Sequence, residues 1–125
     1  MKTKVLVIDD NPNNLMLEND LLEVAGFEVF TAENAGHGIA SAIKEHPDII
    51  IMDVRMPDMD GTAAAIVLRN EERTRDIPIV FVTASVLAEG REEISLIPNT
   101  GFIGKPINTR TFVHDIAKYL KEGSI

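Results

Sequence analysis

Short, strongly apolar runs alternate along the chain with segments of helical character, and this alternation is what most constrains the fold. The run at 49–52 (IIIM) is too short and too rich in β-branched residues for a helix, and it lies between Pro47 and Pro57. Such a run predicts a strand that is buried on both faces. Comparable runs predict further strands at 4–8, 27–32, 77–83 and 102–105.

Helices are predicted in the intervals that follow each strand. The first begins at Pro12 after the capping residue Asn11 and is closed by Gly26, because asparagine satisfies free N–H groups at a helix start and glycine suits a helix end. The others are predicted over 34–45, from 61 to between 69 and 72, over 85–97, and over 109–121 with Asn108 as the cap.

The strand-then-helix unit repeats five times without a long linker or an internal repeat. This rhythm predicts right-handed crossover connections and a parallel sheet covered by helices on both faces. The length fits a single α/β domain spanning residues 1–125. The pattern leaves the strand order open.

Composition excludes several classes of function. The absence of cysteine rules out a disulfide scaffold, a thiolate metal site and a thiol nucleophile. The formal net charge of -8 argues against nucleic acid as a partner, because phosphate binding needs an excess of lysine and arginine. The chain has no signal-peptide pattern and no apolar run of about 18 residues, so we expect a cytoplasmic protein with no membrane partner.

Polar residues stand at the ends of four predicted strands, where packing gives no reason for them. Asp9 and Asp10 follow the first strand, Asp53 ends the third, Thr83 ends the fourth and Lys105 ends the fifth. Because the C-terminal ends of parallel strands share one edge of the sheet, we expect these side chains to meet. Two carboxylates about 4 Å apart repel by roughly 4 kcal/mol at an effective dielectric constant of about 20, and a hard cation such as Mg²⁺ removes that repulsion.

The same residues fit the chemistry of phosphoryl transfer. Lys105 supplies a positive charge and Thr83 a hydroxyl donor, so an anionic group could be held over Asp53 while its carboxylate attacks in line. Taken singly, each residue has an ordinary explanation as a cap, a strand residue or a surface lysine. Asp58 and Asp60 are interpreted as turn residues. The prediction therefore depends on finding the parts of one reaction at four separate strand ends.

Four motifs resemble the receiver domain of two-component response regulators over essentially the whole chain. In order, they read VLVIDDNPNN, MDVRMPDMDG, VFVTAS and FIGKP. The resemblance implies a flavodoxin-like, doubly wound (βα)5 fold with strand order 2-1-3-4-5. It also implies that Asp53 receives a phosphoryl group from a histidine kinase or a histidine phosphotransfer protein.

The resemblance assigns a metal site and its ligands. Asp10 and Asp53 resemble the carboxylates that bind Mg²⁺ directly, and the backbone carbonyl of Arg55 resembles a third ligand. Asp9 resembles the acid that acts through metal-bound water. Mn²⁺ is the alternative ion. Arg55 also stands two residues after the acceptor, where the family controls access of hydrolytic water, so we hypothesise that its side chain modulates the phosphoryl lifetime.

The resemblance also implies a conformational switch. Thr83 and Lys105 resemble the hydroxyl-bearing residue and the lysine that contact the phosphoryl oxygens. Ala84 resembles the small residue beside the threonine that leaves room for the phosphoryl group. Phe102 matches the aromatic switch position, although it lacks the hydroxyl of a tyrosine. Phosphorylation is expected to draw Thr83 toward the phosphoryl and admit Phe102 into the vacated space. The surface built from the predicted elements at 85–97, 102–105 and 109–121 would then bind a downstream protein.

Three classes of function are compatible with parts of this pattern. The first is a phosphoacceptor domain that promotes only its own phosphorylation and dephosphorylation and is not otherwise an enzyme. The second is a haloacid-dehalogenase-like phosphatase, whose chemistry needs an acid two residues after the first strand-end aspartate, where this chain has Asn11. The third is a pseudo-receiver that binds partners without phosphorylation, against which the complete acidic set with Thr83 and Lys105 argues. The first class is favoured, as a stand-alone receiver or as a receiver that forms part of a larger protein.

Overall fold

The computed structural model describes residues 2–83 and 96–120. Over these ranges the strands are β1 (Lys4–Ile8), β2 (Glu28–Ala32), β3 (Ile49–Asp53), β4 (Ile79–Thr83) and β5 (Thr100–Gly104). The helices are α1 (Pro12–Val24), α2 (Ala35–Glu45), α3 (Gly61–Asn70) and α4 (Phe112–Ala117). Asn11 caps α1 by accepting hydrogen bonds from two backbone N–H groups, as predicted.

The strands form one parallel sheet in the order β2-β1-β3-β4-β5. This is the order that the resemblance implied, and the α/β, doubly wound architecture is confirmed. Strands β1 and β3 are adjacent in the sheet, and Ile8 of β1 pairs with Met52 of β3. The residues that follow this pair in the sequence, Asp9 and Asp53, are therefore brought side by side.

Apolar side chains of the sheet fill a core on each face. Ile50 and Met52 of β3 pack on one side against residues of α2 and α3, including Ala42 and Leu68. On the other side, the neighbouring β3 residues pack against Leu22 of α1 and against α4. Residues 49–52 are at most 1% exposed, which confirms a strand buried on both faces. Full burial of each such side chain stabilises the fold by about 1.5–3 kcal/mol.

Several element boundaries differ from the predictions, and at β4 and α4 the difference has a local reason. β4 begins at Ile79 rather than at 77, because Pro78 has no N–H and the residue before it bonds back into a turn. β5 begins at Thr100 rather than at 102. α4 begins at Phe112 rather than at 109, because Asn108 accepts the backbone N–H of Arg110 in a turn that precedes the helix.

Some predictions fall outside the described residues. Ala84 and most of the helix predicted over 85–97 belong to this group, as does Lys121 at the end of the last predicted helix. Of the predicted 85–97 segment, Leu96 is exposed and Ile97 is buried in the core. Among the described helices, none combines the length and the apolar character that crossing a membrane requires.

Candidate functional site

Four predicted site residues lie together at the C-terminal edge of the sheet. Asp9 directly follows β1, Asp53 is the last residue of β3, Thr83 is the last residue of β4, and Lys105 directly follows β5. The last residue pair of the β4–β5 ladder is Thr83 and Gly104, and the Lys105 N–H donates to the Thr83 carbonyl at 2.8 Å. The parallel register thus brings the lysine beside the carboxylates.

The Lys105 side chain links two of the aspartates. Its ammonium nitrogen lies 3.1 Å from Asp9 Oδ2 and 3.1 Å from Asp53 Oδ2. The three side chains are largely buried, with exposed fractions of 17%, 2% and 14% for Lys105, Asp9 and Asp53. Burial alone would lower the pKa of Lys105, but its hydrogen bonds to Asp53 and Asp9 outweigh this effect and raise the pKa. Lys105 is therefore held as a cation.

Three carboxylates form a cluster that one lysine does not neutralise. Asp9, Asp10 and Asp53 each present an oxygen, and the three oxygens lie within 4.8 Å of one another. Asp10 is exposed, so the cluster is open to solvent on its side. A set of carboxylate oxygens with solvent access fits Mg²⁺, which binds through a few carboxylates and keeps waters for an incoming phosphate.

Backbone N–H groups hold the two buried carboxylates in place. The N–H of Asn11 donates to Asp9 Oδ1 at 2.9 Å, and the N–H of Arg55 donates to Asp53 Oδ1 at 3.2 Å. In both aspartates the other oxygen accepts from Lys105. Two contacts therefore fix the orientation of each carboxylate. One oxygen accepts the backbone N–H of the residue two positions later in the chain, and the other accepts from the ammonium group of Lys105, which the two carboxylates share.

The loop between β3 and α3 is fastened at both ends. The N–H of Gly61 donates to the Val54 carbonyl at 2.6 Å, and a Cβ at Gly61 would collide with the Asp53 carbonyl oxygen. Asp60 caps α3 by accepting from Thr62 N–H. The Asp58 carboxylate accepts from the Ala35 and Gly36 N–H groups at the start of α2, at 3.0 and 2.9 Å. This loop carries Arg55, whose side chain is exposed.

The predicted switch residues occupy adjacent strands. Thr83 is 5% exposed at the end of β4. Phe102 of β5 is opposite Phe81 in the β4–β5 ladder, and the centroids of the two rings are 6.4 Å apart. Phe102 is half-buried and packs against the core formed with α2 and α3. The sequence interpretation of these two residues as a switch stays a prediction.

One residue of the site was missed from the sequence. Glu18 of α1 is 2% exposed, between Leu15 and Leu22 on the buried face of the helix. Burial, followed by the negative charge of Asp9, raises the pKa of Glu18 to about 8. The available signal was an acid at a position where the helical periodicity requires an apolar residue.

Comparison with known families gives a match over nearly the whole chain. Residues 5–117 match the family described as the response regulator receiver domain. The polar-differentiation response regulator DivK of Brucella ovis is 32% identical over 120 residues, which are 96% of this chain and 98% of that protein.

Solved structures agree with this match. The chemotaxis response regulator CheY4 of Vibrio cholerae superposes with a TM-score of 0.90 at 31% identity and covers 96% of this chain and 100% of its own. The receiver domain of the sensor histidine kinase PA1611 from Pseudomonas aeruginosa superposes with a TM-score of 0.86 at 26% identity, covering 95% of this chain and 98% of its own. That structure has a magnesium ion coordinated in its active-site cleft.

Proposed function

The chain belongs to the family of response regulator receiver domains, and we propose that it is a signalling domain, residues 1–125, in which Asp53 accepts a phosphoryl group from a phosphohistidine donor. Receiver domains bind Mg²⁺ at an acidic site and interact with histidine kinases and with downstream effectors. The observation that carries the proposal is the cluster of Asp9, Asp10 and Asp53, two of which bind Lys105.

In the proposed transfer, a carboxylate oxygen of Asp53 attacks the phosphorus of a phosphohistidine. The P–O bond forms as the P–N bond breaks, and the imidazole leaves as a neutral ring after taking up one proton. Lys105, 3.1 Å from Asp53 Oδ2, offsets the charge of the transferring oxygens, and the hydroxyl of the buried Thr83 donates to one of them.

The proposed metal ligands are Asp10, Asp53 and the Arg55 carbonyl, with Asp9 acting through water. Mg²⁺, or Mn²⁺ in its place, would neutralise these carboxylates and bind a phosphoryl oxygen. Three acidic side chains gathered within 4.8 Å around a single lysine support this assignment, because they leave an excess of negative charge for a cation to offset.

We further propose that phosphorylation is read out through Thr83 and Phe102. An added phosphoryl group brings about two negative charges to Asp53, and a hydrogen bond from Thr83 to that group would pull the end of β4 toward it. Phe102, on the adjacent strand and in ring contact with Phe81, would then move toward the core. The protein-binding surface that the resemblance implies, of which the structure describes β5 and α4 but not residues 85–95, would then change shape. Its proposed partner is a downstream protein, and its proposed location is the cytoplasm.

A receiver domain is a regulatory domain, and we propose no activity beyond its own phosphorylation and dephosphorylation. The alternative function, that of a haloacid-dehalogenase-like phosphatase, needs an acid at position 11. Asn11 there accepts the N–H groups of Asn13 and Asn14 and so serves as the cap of α1.

Intact-mass analysis after incubation with acetyl phosphate and Mg²⁺ tests the proposal. We expect one added phosphoryl group on the parent protein and none when a chelator is present. Asp53→Asn should remain unmodified, whereas the matched substitution Asp20→Asn on the exposed side of α1 should behave as the parent. Equal modification of Asp53→Asn and the parent would overturn the assignment.

A further inference from the structure

Asp58 joins the loop between β3 and α3 to a helix that is distant in the sequence. Its two carboxylate oxygens accept one backbone N–H each, from Ala35 at 3.0 Å and from Gly36 at 2.9 Å. These are the first two residues of α2, and the N–H groups at a helix start carry a partial positive charge. A charged acceptor that binds two such donors at once makes a strong and directional contact.

The neighbours of Asp58 hold the same loop against the core. Met56 and Met59 are half-buried and pack, together with Val54, against the apolar cluster that includes residues of α2 and α3. Asp58 itself is exposed, so its carboxylate contributes through its two hydrogen bonds rather than through burial. Its contact with α2 therefore adds a polar attachment to the apolar one at the same segment.

A stiff connection links Asp58 to Arg55, whose carbonyl is a proposed metal ligand. Met56 and Pro57 separate the two residues. The ring of Pro57 fixes its own backbone φ angle, and it also restricts the backbone conformation of the preceding Met56. A displacement of Asp58 away from α2 would therefore also displace Arg55.

Arg55 is in turn bound to the acidic cluster. Its N–H donates to Asp53 Oδ1 at 3.2 Å, and Asp53 is one of the three aspartates whose oxygens lie within 4.8 Å of one another. Asp53, Arg55 and Asp58 thus form a continuous connection from the acidic cluster to α2.

We propose that Asp58 is a positioning residue of the metal site: by holding the loop against the first turn of α2 it fixes the segment that carries Arg55, and so raises the affinity of the acidic cluster for Mg²⁺. The inference rests on the metal assignment in the proposed function. Because coupling between two sites is reciprocal, Mg²⁺ bound at the cluster also strengthens the contact between Asp58 and α2 by the same factor.

Three variants separate the position of the loop from its charge. Asp58→Ala removes both hydrogen bonds, Asp58→Asn removes the charge but keeps one acceptor, and Asp60→Asn removes a charge from the same loop while keeping an acceptor for the Thr62 N–H. Titration with Mg²⁺, followed by amide chemical shifts, is expected to give an affinity about fivefold lower for Asp58→Ala, which is less than the roughly 10–100-fold typical of groups that contact a metal ligand directly. Asp58→Asn should lie between Asp58→Ala and the parent, and Asp60→Asn should bind as the parent.

High salt distinguishes positioning from a long-range effect of charge. In about 1 M KCl, where the Debye length falls to about 3 Å, the affinity ratio between the parent and Asp58→Ala should be retained. Urea unfolding of the same variants should show that each is fully folded under the conditions of the titration, so that weaker Mg²⁺ binding cannot come from partial unfolding.

Hydrogen exchange of the parent tests the same coupling without any substitution. Saturating Mg²⁺ should slow the exchange of the Gly36 amide by about the factor with which Asp58→Ala weakens Mg²⁺ binding. The slowing should be absent from Asp58→Ala.

Three results would overturn the inference. They are an unchanged Mg²⁺ affinity in Asp58→Ala, a weakening that Asp60→Asn reproduces or that disappears at high salt, and a Gly36 amide whose exchange does not respond to Mg²⁺. A parent that binds no Mg²⁺ would overturn the metal assignment of the proposed function as well. A parent that binds Mg²⁺ equally with and without the Asp58 carboxylate would overturn this inference alone.

Discussion

Lys105 shows how single side chains are held at this site. Its ammonium group binds Asp9 and Asp53 at equal distances of 3.1 Å, while backbone N–H groups bind the second oxygen of each carboxylate. The contacts are mutually dependent, because removing one partner of a buried ion pair leaves an uncompensated charge. The Asp53 carboxylate is thereby held in one orientation.

Arg55 gives a prediction at the scale of one residue. Its backbone N–H donates to Asp53 and its side chain is exposed, so its guanidinium group has the freedom to lie over the proposed phosphoryl group on Asp53 and hinder water. We expect the phosphorylated form of Arg55→Ala to decay faster than that of the parent, as followed by intact mass over time. Equal decay rates would end the hypothesis that Arg55 modulates the lifetime.

Glu18 predicts an unusual pH dependence of stability. Its pKa is about 8 in the folded protein against an ordinary value of 4.5, so between these values the folded state binds a proton that the unfolded chain does not. Its stabilising contribution is thus complete below the ordinary pKa and is lost as pH rises through the folded pKa, by up to about 1.4 kcal/mol per pH unit.

The measurement is urea unfolding of the metal-free protein at several pH values between about 5 and 8. Glu18→Gln should flatten the fall in unfolding free energy, because the amide does not titrate. Glu23→Gln, which changes an exposed acid on the same helix, should leave the fall unchanged. Identical pH profiles for Glu18→Gln and the parent would contradict the prediction.

At the scale of elements, the loop between β3 and α3 is the part that most directly shapes the site. Gly61 lies against the Asp53 and Val54 backbone, and Asp58 ties the loop to the start of α2. Hydrogen bonds donated by the backbone N–H groups of Gly36 and Ala35 lower the pKa of Asp58 below its ordinary value. The loop is thus clamped between two helices.

Gly61 gives the corresponding test. Gly61→Ala should destabilise the fold by about 1–3 kcal/mol, because the added methyl group must displace backbone rather than a flexible side chain. Gly36→Ala is the matched control, since a Cβ there meets only ordinary contacts and favours the helix. Urea unfolding compares the two variants. A Gly61→Ala protein as stable as Gly36→Ala would show that the close approach has no energetic consequence.

At the scale of the whole molecule, the architecture could be predicted because strands buried on both faces leave a strong local pattern. The apolar runs at 4–8 and 49–52 predicted two parallel strands. The carboxylates that directly follow these runs, those of Asp9 and Asp53, could therefore be predicted to lie at one edge of the sheet. The strand order needed the family resemblance, since local sequence does not specify which strands pair.

What the sequence did not reveal depends on contacts between distant segments. Glu18 resembles an ordinary helix acid until α1 packs against the sheet and buries it beside Asp9. Asp58 was interpreted as a turn residue, and its bonds to α2 span more than twenty residues of sequence. The earlier start of β5 and the later start of α4 likewise follow from pairing and turn contacts that leave no periodic signal.

Locating the phosphoryl group tests the central claim most directly. An aspartyl phosphate is reduced by borohydride to homoserine, so protein treated with acetyl phosphate and Mg²⁺ can be reduced, digested and mapped by peptide mass. We predict homoserine at position 53, with aspartate retained at positions 9 and 10. Homoserine at either of those two positions, or a stable phosphoryl group that yields no homoserine, would contradict the account.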